Sequence, residues 1–480
     1  VHVSTAQQQH ADPDLVVVYH RRRNVELVMV IFAAAMGVGS YLLVELNLFN
    51  ELPANWPVVA AIWLLIAVGA HLAVRFRIPY ADPLILPCVL LLNGIGLAMI
   101  HRIDKIPDPV RHDATTQLMW TGIGVGLFLL VLFLLRDHRP LQGYTYTLFV
   151  AGLGLLLMPL LPFIGKEVYG SRIWIAIGPY TFQPAEVAKI VLAIAFASYL
   201  VEKRDVLALA GARFLGIDLP RPRDLGPILL MWLASLAVLV FQRDLGTSLL
   251  FFGLFVMMLY VATERPSWPI LGLLLFSAGA YAGFLLFSHV QVRVDGWLHP
   301  FDNFDQNNQI INGQFGIAWG GLLGRGWGLG RPGLTTFAKS DFIAAAIGEE
   351  LGMAGLMAVI MVYALIVARG LRTALAAKEP FGKLLSAGLS FVLALQVFTI
   401  IGGVTRLLPL TGQTTPFLSQ GGSSLVANWA IVGLLLAISH QARKPVARVS
   451  ADPLAGPAYA GDGFDSDTTQ VIRGDGRAQR

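Results

Sequence analysis

The sequence predicts an all-α, polytopic integral membrane protein, a bundle of about 12 membrane-crossing helices, and two observations carry that reading. First, 55% of the 480 residues are hydrophobic and only 14% are charged, whereas a water-soluble domain carries about a quarter charged residues. Second, apolar runs recur from residue 25 to residue 442, and each is long enough to cross a hydrocarbon core, which takes roughly 20 residues for about 30 Å. They fall at 25–47, 56–75, 83–100, 118–136, 143–163, 184–201, 225–242, 245–263, 267–289, 343–368, 381–402 and 423–442. A helix satisfies its own backbone hydrogen bonds inside lipid, and these runs are too long and too uniformly apolar for barrel strands.

Charge gives the bundle a direction. Arg21, Arg22 and Arg23 precede the first run, and alternation places Arg75/Arg77, Arg136/Arg139, Lys203/Arg204/Arg213/Arg221/Arg223, Arg369/Arg372/Lys378/Lys383 and Arg443/Lys444/Arg448 on the same side. The positive-inside rule makes that side cytoplasmic, with both termini there. A second basic set, including Arg102, Lys105, Arg172, Arg293, Lys339 and Arg406, falls outside, where it suits an anion. The first run follows a basic triplet without a small-residue cleavage site and reads as a retained anchor. The single cysteine, Cys88, lies within a span, so no intrachain disulfide is expected. A net charge of +5 is compatible with the inside bias and gives no reason to invoke nucleic acid.

Three connections are long: 164–183 and 290–342 outside, and 202–224 inside. The inner one is basic with scattered leucines and is expected at the headgroup level. The large outer loop holds NGQFGIAWGGLLGRGWGLGRPGL from Asn312 to Leu334. Its glycines permit turns and close approach, and Phe315, Trp319 and Trp327 favour a loop that dips into the interface over a merely flexible one. From residue 443 the composition turns to Pro, Ala, Gly and Asp, a tail expected to be disordered because it cannot bury enough apolar area to fold. Thr468 and Thr469 within it are candidate phosphorylation sites.

Four outer segments bring polar chemistry to the membrane boundary. In YGSRIWIAIGPYTFQPAEVAKI, Glu186 and Lys189 are three apart and share a helix face, with Arg172 preceding them. The pair is either self-neutralised and snorkelling or part of a polar path. In FQRDLGTSLL, Asp244 stands before Gly246, Thr247 and Ser248 as a helix cap, a ligand contact, or both. In LTTFAKSDFIAAAIGEELG, Ser340 and Asp341 look like a helix start, while a carboxylate at a water-lipid boundary beside a glycine-rich loop also fits a general base. Glu349 and Glu350 lie about two turns deeper, so at least one should be paired or line a polar cavity. In TRLLPLTGQTTPFLSQGGSSL, Gly421 to Ser424 either opens a helix whose amides suit a phosphate or forms a plain turn.

Together, GSRIW with FQPAEVAK, DLGT, SDFIAAAIGEELG, and LLPLTG with PFLSQGGSS resemble the SEDS family (shape, elongation, division and sporulation), the polymerases of cell-wall peptidoglycan. The motifs occur in order over residues 83–442, and the chain is more similar to elongation-type (RodA-type), actinobacterial members than to the division type. It departs from the family pattern at Ala185, Arg243, Asn312, Gly313 and Gln420, none of which removes a charged residue of that pattern. The resemblance implies a ten-helix core over 79–442, preceded by a cytoplasmic segment 1–24 and an extra two-helix membrane segment 25–78, and followed by the cytoplasmic tail 443–480.

It further implies glycan growth on lipid II at the bacterial plasma membrane, during cell elongation. The 4-hydroxyl of one disaccharide attacks the anomeric carbon of another and displaces undecaprenyl pyrophosphate, with inversion. Asp341 matches the family's essential carboxylate and is the expected general base. Arg172, Lys189 and Lys339 are expected to bind the pyrophosphate, with Glu186 orienting Lys189, and Asp244 to contact substrate or help hold a divalent cation, Mg or Mn. Thr247, Ser419, Gly421, Gly422 and Ser423 complete the expected substrate-binding set. The implied partner, besides membrane lipids, is a class B penicillin-binding protein, a transpeptidase that crosslinks the new strands. The alternatives are a transporter that flips lipid-linked precursors and a scaffold of the wall-synthesis complex.

Overall fold

The structure, a computed structural model, describes residues 16–18, 21–106, 113–135, 137–168, 171–178, 180–208, 212–214, 217–219, 222–445 and 470–472. Thr468 and Thr469 lie outside them. Fifteen α-helices follow in order among the described residues: α1 (Arg23–Phe49), α2 (Trp56–Arg77), α3 (Ile85–Asp104), α4 (Asp113–Leu134), α5 (Thr145–Leu157), α6 (Pro184–Ala208), α7 (Pro222–Phe241), α8 (Leu245–Thr263), α9 (Ser267–Leu286), α10 (Ser288–Leu298), α11 (Phe304–Gly320), α12 (Ile343–Glu350), α13 (Gly352–Ala376), α14 (Pro380–Val404) and α15 (Gly422–Arg443). Eleven helical segments among the described residues are long and apolar enough to cross a membrane, and the expected run at 225–242 coincides with α7. The chain is a polytopic helical membrane protein.

The bundle is organised around α15, whose side chains are almost all buried although it is as apolar as its neighbours. One half of its circumference meets a core built by α1 to α4 and α13, and the other meets a core built by α5 to α8 and α14. Trp429 sits at the junction, edge-on to Phe128 and Phe417, and Gly124 on α4 leaves it room, since a Cβ there would lie 2.8 Å from the indole. Small residues also bring α1 against α3: a Cβ on Gly94 would stand 2.9 Å from the Gly37 Cα. Without a hydrophobic driving force between helices in lipid, such close backbone approach is what drives association. By contrast α9 is largely exposed on the rim.

Three expectations are corrected. The apolar run at 343–368 is not one helix: α12 ends at Glu350 and α13 restarts at Gly352, which has φ +72°. The break is closed by the glycine-rich loop, whose Gly321 and Leu322 carbonyls accept from Met353 and Ala354 N–H, while Arg325 and Gly326 N–H donate to the Glu349 and Glu350 carbonyls. This ladder satisfies the backbone groups that a helix end leaves open. The outer loop 290–342 contains helices, α10 and α11, and of the three aromatics singled out in its glycine-rich stretch Trp327 is buried while Phe315 and Trp319 are exposed. Finally, the connection 164–183 folds into an antiparallel three-stranded sheet of β1 (Gly165–Val168), β2 (Ser171–Ile177) and β3 (Tyr180–Phe182). Elsewhere Val16–Val18 pairs antiparallel with Gln470–Ile472.

Charges collect at the two ends of the bundle. At one end Asp82, fully buried, accepts from Arg369 Nε at 2.8 Å and Arg443 Nη2 at 2.6 Å, and a carboxylate oxygen caps Leu84 N–H at 2.9 Å. Nearby, Glu26 pairs with Arg23 and with His71 Nδ1. The other end carries Asp341. Replacing Asp82 by Asn takes from two guanidiniums the carboxylate they share, and such losses typically cost about 3 kcal/mol or more. Asp82→Asn is therefore expected to lower the thermal unfolding midpoint of the detergent-purified protein by several degrees, and an unchanged midpoint would contradict this account of how α3, α13 and α15 are locked.

Candidate active site

The site is assembled from segments far apart in sequence: the start of α6, the turn between α7 and α8, α10, and the loops around 339–342 and 405–421. The i,i+3 spacing of Glu186 and Lys189 produces a real pair, with Lys189 Nζ donating to Glu186 Oε2 at 2.7 Å and to Gln396 Oε1 of α14 at 3.1 Å. Gln396 in turn donates to the Thr414 carbonyl at 3.1 Å, so the buried lysine anchors the 405–421 loop. Asp244 caps α8, accepting from Thr247 N–H at 3.0 Å, and Gln183 Nε2 donates to its other oxygen at 3.4 Å. Two residues on, Gly246 lets that loop lie directly on the helix start, because a Cβ would be 3.0 Å from the Thr411 carbonyl.

Asp341 does not cap a helix. The N-cap of α12 is Phe342, and Asp341 stands before it, half-buried. Alongside it comes Arg293 of α10, whose Nη1 donates to the Leu410 and Thr411 carbonyls at 3.4 and 3.2 Å. Gly412, with φ +72°, passes between them: a Cβ there would lie 3.7 Å from Arg293 Nη2 and 3.8 Å from Asp341 Oδ2. Burial pushes the Asp341 carboxyl up to about 6, against the pull of Arg293 and the Ser340 hydroxyl. Asp244 is likewise raised by burial and opposed by Thr247, with Glu186 pushing it further up and Arg293 drawing it back. One guanidinium thus serves two desolvated carboxylates, which in turn hold its charge against burial. Sequence reasoning placed Arg293 only among the outer cations. The signal that singles it out is tertiary, the convergence of α10 on two loops.

The other expected ligands divide. Lys339 Nζ is held by Asp104 of α3 and by Asp113 of α4 at 2.9 Å, a structural tie with its charge matched twice. Ser419 Oγ donates to the Ser340 carbonyl at 2.6 Å and accepts from Thr415 N–H at 2.9 Å, fixing the backbone next to Asp341. The amide of Gly421 is taken by Gln117 Oε1 at 3.2 Å, Trp120 packs against Gly422, and Ser423 Oγ accepts from Gln183 N–H at 2.9 Å. The start of α15 is therefore engaged by protein. Thr247 is buried at the α8 start. Arg172 stands apart on the exposed sheet, paired with Glu167 at 3.0 Å. Glu349 and Glu350 are both satisfied as expected, Glu349 by Arg331 N–H and Glu350 by Gly328 N–H and Arg102.

Two polar atoms beside Arg293, Thr411 Oγ1 and Gln413 Oε1, are buried without a hydrogen-bond partner among the described residues, so this corner retains capacity for a polar ligand. Among the described residues no three His, Cys, Asp or Glu side chains gather, so a divalent cation at Asp244 would take its remaining ligands from substrate phosphates and water, as Mg²⁺ commonly does.

The family model described as cell cycle protein, uniting FtsW, RodA and SpoVE, matches residues 83–444. The peptidoglycan glycosyltransferase RodA of Mycobacterium tuberculosis is 47% identical over 431 residues, covering 88% of this chain and 92% of that protein. Among solved structures, a chain from a peptidoglycan synthase complex, reported for its coordination of polymerization and crosslinking, aligns with a TM-score of 0.61 and 27% identity over 76% of this chain and 99% of its own. The rod shape determining protein RodA of Thermus thermophilus aligns with a TM-score of 0.51 and 27% identity over 76% of this chain and 98% of its own. With a match over most of its length, the protein belongs to the FtsW/RodA/SpoVE family, the family its sequence motifs resemble.

Proposed function

We propose that the protein is a peptidoglycan glycosyltransferase that polymerises lipid II during cell elongation, with Asp341 as its general base. Close similarity to a mycobacterial peptidoglycan glycosyltransferase over 88% of the chain supports the reaction class. The observation that carries the role of Asp341 is its place beside Arg293, with its carboxyl raised to about 6. A base poised near the working pH combines a deprotonated fraction with enough basicity to accept a proton. In the proposed step the acceptor 4-hydroxyl gives its proton to Asp341 as its oxygen bonds to the anomeric carbon. The bond from that carbon to the pyrophosphate oxygen breaks, and its electron pair leaves with undecaprenyl pyrophosphate. A single displacement inverts the anomeric centre and needs no covalent nucleophile.

Arg293 keeps Asp341 ionised and aimed, while the unpartnered Thr411 and Gln413 oxygens offer hydrogen bonds to sugar hydroxyls. Arg172 is a cation free to meet the pyrophosphate: it is exposed, and its pair with Glu167 is of the surface kind, worth about 0–1 kcal/mol and easily exchanged. Lys189 and Glu186 act by holding the 405–421 loop in place. The Asp341 end of the bundle faces outward and both termini lie in the cytoplasm, because the opposite end carries Arg75, Arg77, Arg369 and Arg443. The partner is a class B penicillin-binding protein, a reading supported by the likeness to a chain of a synthase complex, and its recovery by co-purification from native membranes is expected.

A transporter of lipid-linked precursors needs a polar route between the two ends. The buried side chains of α15 from Leu425 to Ile438 are apolar except for Asn428, which favours the polymerase.

With lipid II and a crosslinking-dead partner, the native chain is expected to form glycan ladders, and Asp341→Asn to lose roughly 10²- to 10⁴-fold in rate while still inserting and binding its partner. Full activity in Asp341→Asn would sink the assignment. Because only the carboxylate accepts a proton, the native rate is expected to fall as pH drops through about 6. Arg293→Gln removes the charge opposing desolvation, so its acid limb moves to higher pH; a limb that stays or moves down would contradict the pairing.

A further inference from the structure

The family match begins at residue 83, leaving α1 and α2 outside it, yet α1 is built into the same end of the bundle as Asp341. Glu45, buried near the end of α1, accepts from His101 Nε2 at 2.5 Å and Lys105 Nζ at 3.1 Å, both at the last turn of α3. Half a turn later Asn47 Nδ2 donates to the Trp327 carbonyl at 2.7 Å. The next loop residue, Gly328 at φ +80°, lies so close to α1 that a Cβ would stand 3.3 Å from the Val44 carbonyl oxygen and from the Asn47 Cβ.

The turn of α3 that Glu45 grips also holds the glycine-rich loop. Arg102 donates to the Gly330 carbonyl at 2.8 Å and to Glu350 at 2.9 Å, and Asp104 accepts from Lys339. The loop is thus pinned at 327, 330 and 339, directly by α1 or through the α3 turn that α1 braces. Asp341 follows two residues after the last pin. Gly321, Gly324, Gly326 and Gly328 all have positive φ, so this backbone has little preference of its own and takes its position from such ties.

We propose that α1 is a positioning strut for the catalytic segment, with Glu45 and Asn47 as positioning residues that set the glycine-rich loop and, through Lys339, the place of Asp341. The proposal rests on Asp341 being the base of the polymerase. Misplacing a reacting group by about 1 Å can cost 10²-fold in rate, so a strut remote from the chemistry acts on turnover more than on substrate capture.

The test uses the full-length chain with its partner. Asn47→Asp keeps the shape of the side chain but replaces the donor with an acceptor facing the Trp327 carbonyl; Glu45→Gln keeps the shape but removes the charge. Asn47→Asp lies at the exposed end of α1 and serves as the mild variant. Hydrogen exchange read by mass spectrometry is expected to quicken about tenfold over residues 326–341 in each variant and to stay unchanged in α14 and α15. Polymerisation kinetics are expected to show kcat reduced about tenfold with KM for lipid II within about twofold, a split that general destabilisation does not produce. Native exchange together with native kcat would overturn the proposal, and so would faster exchange with native kcat, because the loop would then be tied without positioning the base. If exchange quickens but the native chain itself makes no glycan, the polymerase reading fails and the catalytic part of this proposal falls with it.

Discussion

Hydrocarbon does not solvate charge, and this constraint organises the molecule. Each ionised group near the membrane needs a partner, and here the partners come from distant parts of the chain. Asp82 joins Arg443 across 361 residues, and Lys339 joins Asp104 across 235. A pair of that kind cannot form until the helices carrying it are in order, so matching the charges at the two ends also fixes the arrangement of the spans between them. Apolar packing alone is less selective, because lipid tails are as apolar as the side chains that compete with them. The same logic explains why α15 can be central without being unusually hydrophobic. It is enclosed by helices whose ends are tied together, with Arg443 locked to Asp82 at one end and Gly421 to Gln117 at the other.

Much of this architecture was readable from residue patterns, for physical reasons that also mark where reading stops. Length and uniform apolarity locate membrane helices because the bilayer imposes both. The pairing of Glu186 with Lys189 follows from helical spacing, and the capping by Asp244 from its place before a short hydroxyl-containing turn. The break between α12 and α13 was not legible, because nothing local at Gly352 requires it; it exists because Gly324 and its neighbours approach from outside and take over the backbone hydrogen bonds. Lys339 illustrates the same limit. As an outer cation it suited a phosphate, but its two carboxylate partners lie on α3 and α4, and only the fold brings them together. Arg293 was missed for the converse reason, since its significance lies wholly in what converges on it.

The electrostatics of the site follow from putting one cation among several acids. With Arg293 absent, Asp244 and Asp341 would be desolvated carboxylates with reason to stay protonated. With a separate cation for each, both would be strongly acidic, and neither would accept a proton readily. Sharing one guanidinium leaves Asp341 between these limits, raised by burial and restrained by charge. Asp244 is committed to the α8 amide and to Gln183, so it supplies field and structure while Asp341 keeps an accessible edge. Environment therefore sets the two acids apart, although they are the same residue type.

The glycine-rich loop shows how such a site can be both exact in placement and reachable. A loop of bulky residues could hold itself in place by its own packing, but it could not pass within contact distance of α1, Gly348 and the α12–α13 break at once. Glycine permits that approach at the cost of intrinsic order. Order then has to be supplied from outside, and it comes from groups that are themselves well fixed: Glu349 and Glu350 at the end of α12, Arg102 and Asp104 at the end of α3, and Asn47 at the end of α1. Each is at a helix terminus, where a stiff rod ends and a loop begins, so the rigidity of the membrane-embedded bundle is handed to the one segment that carries Asp341.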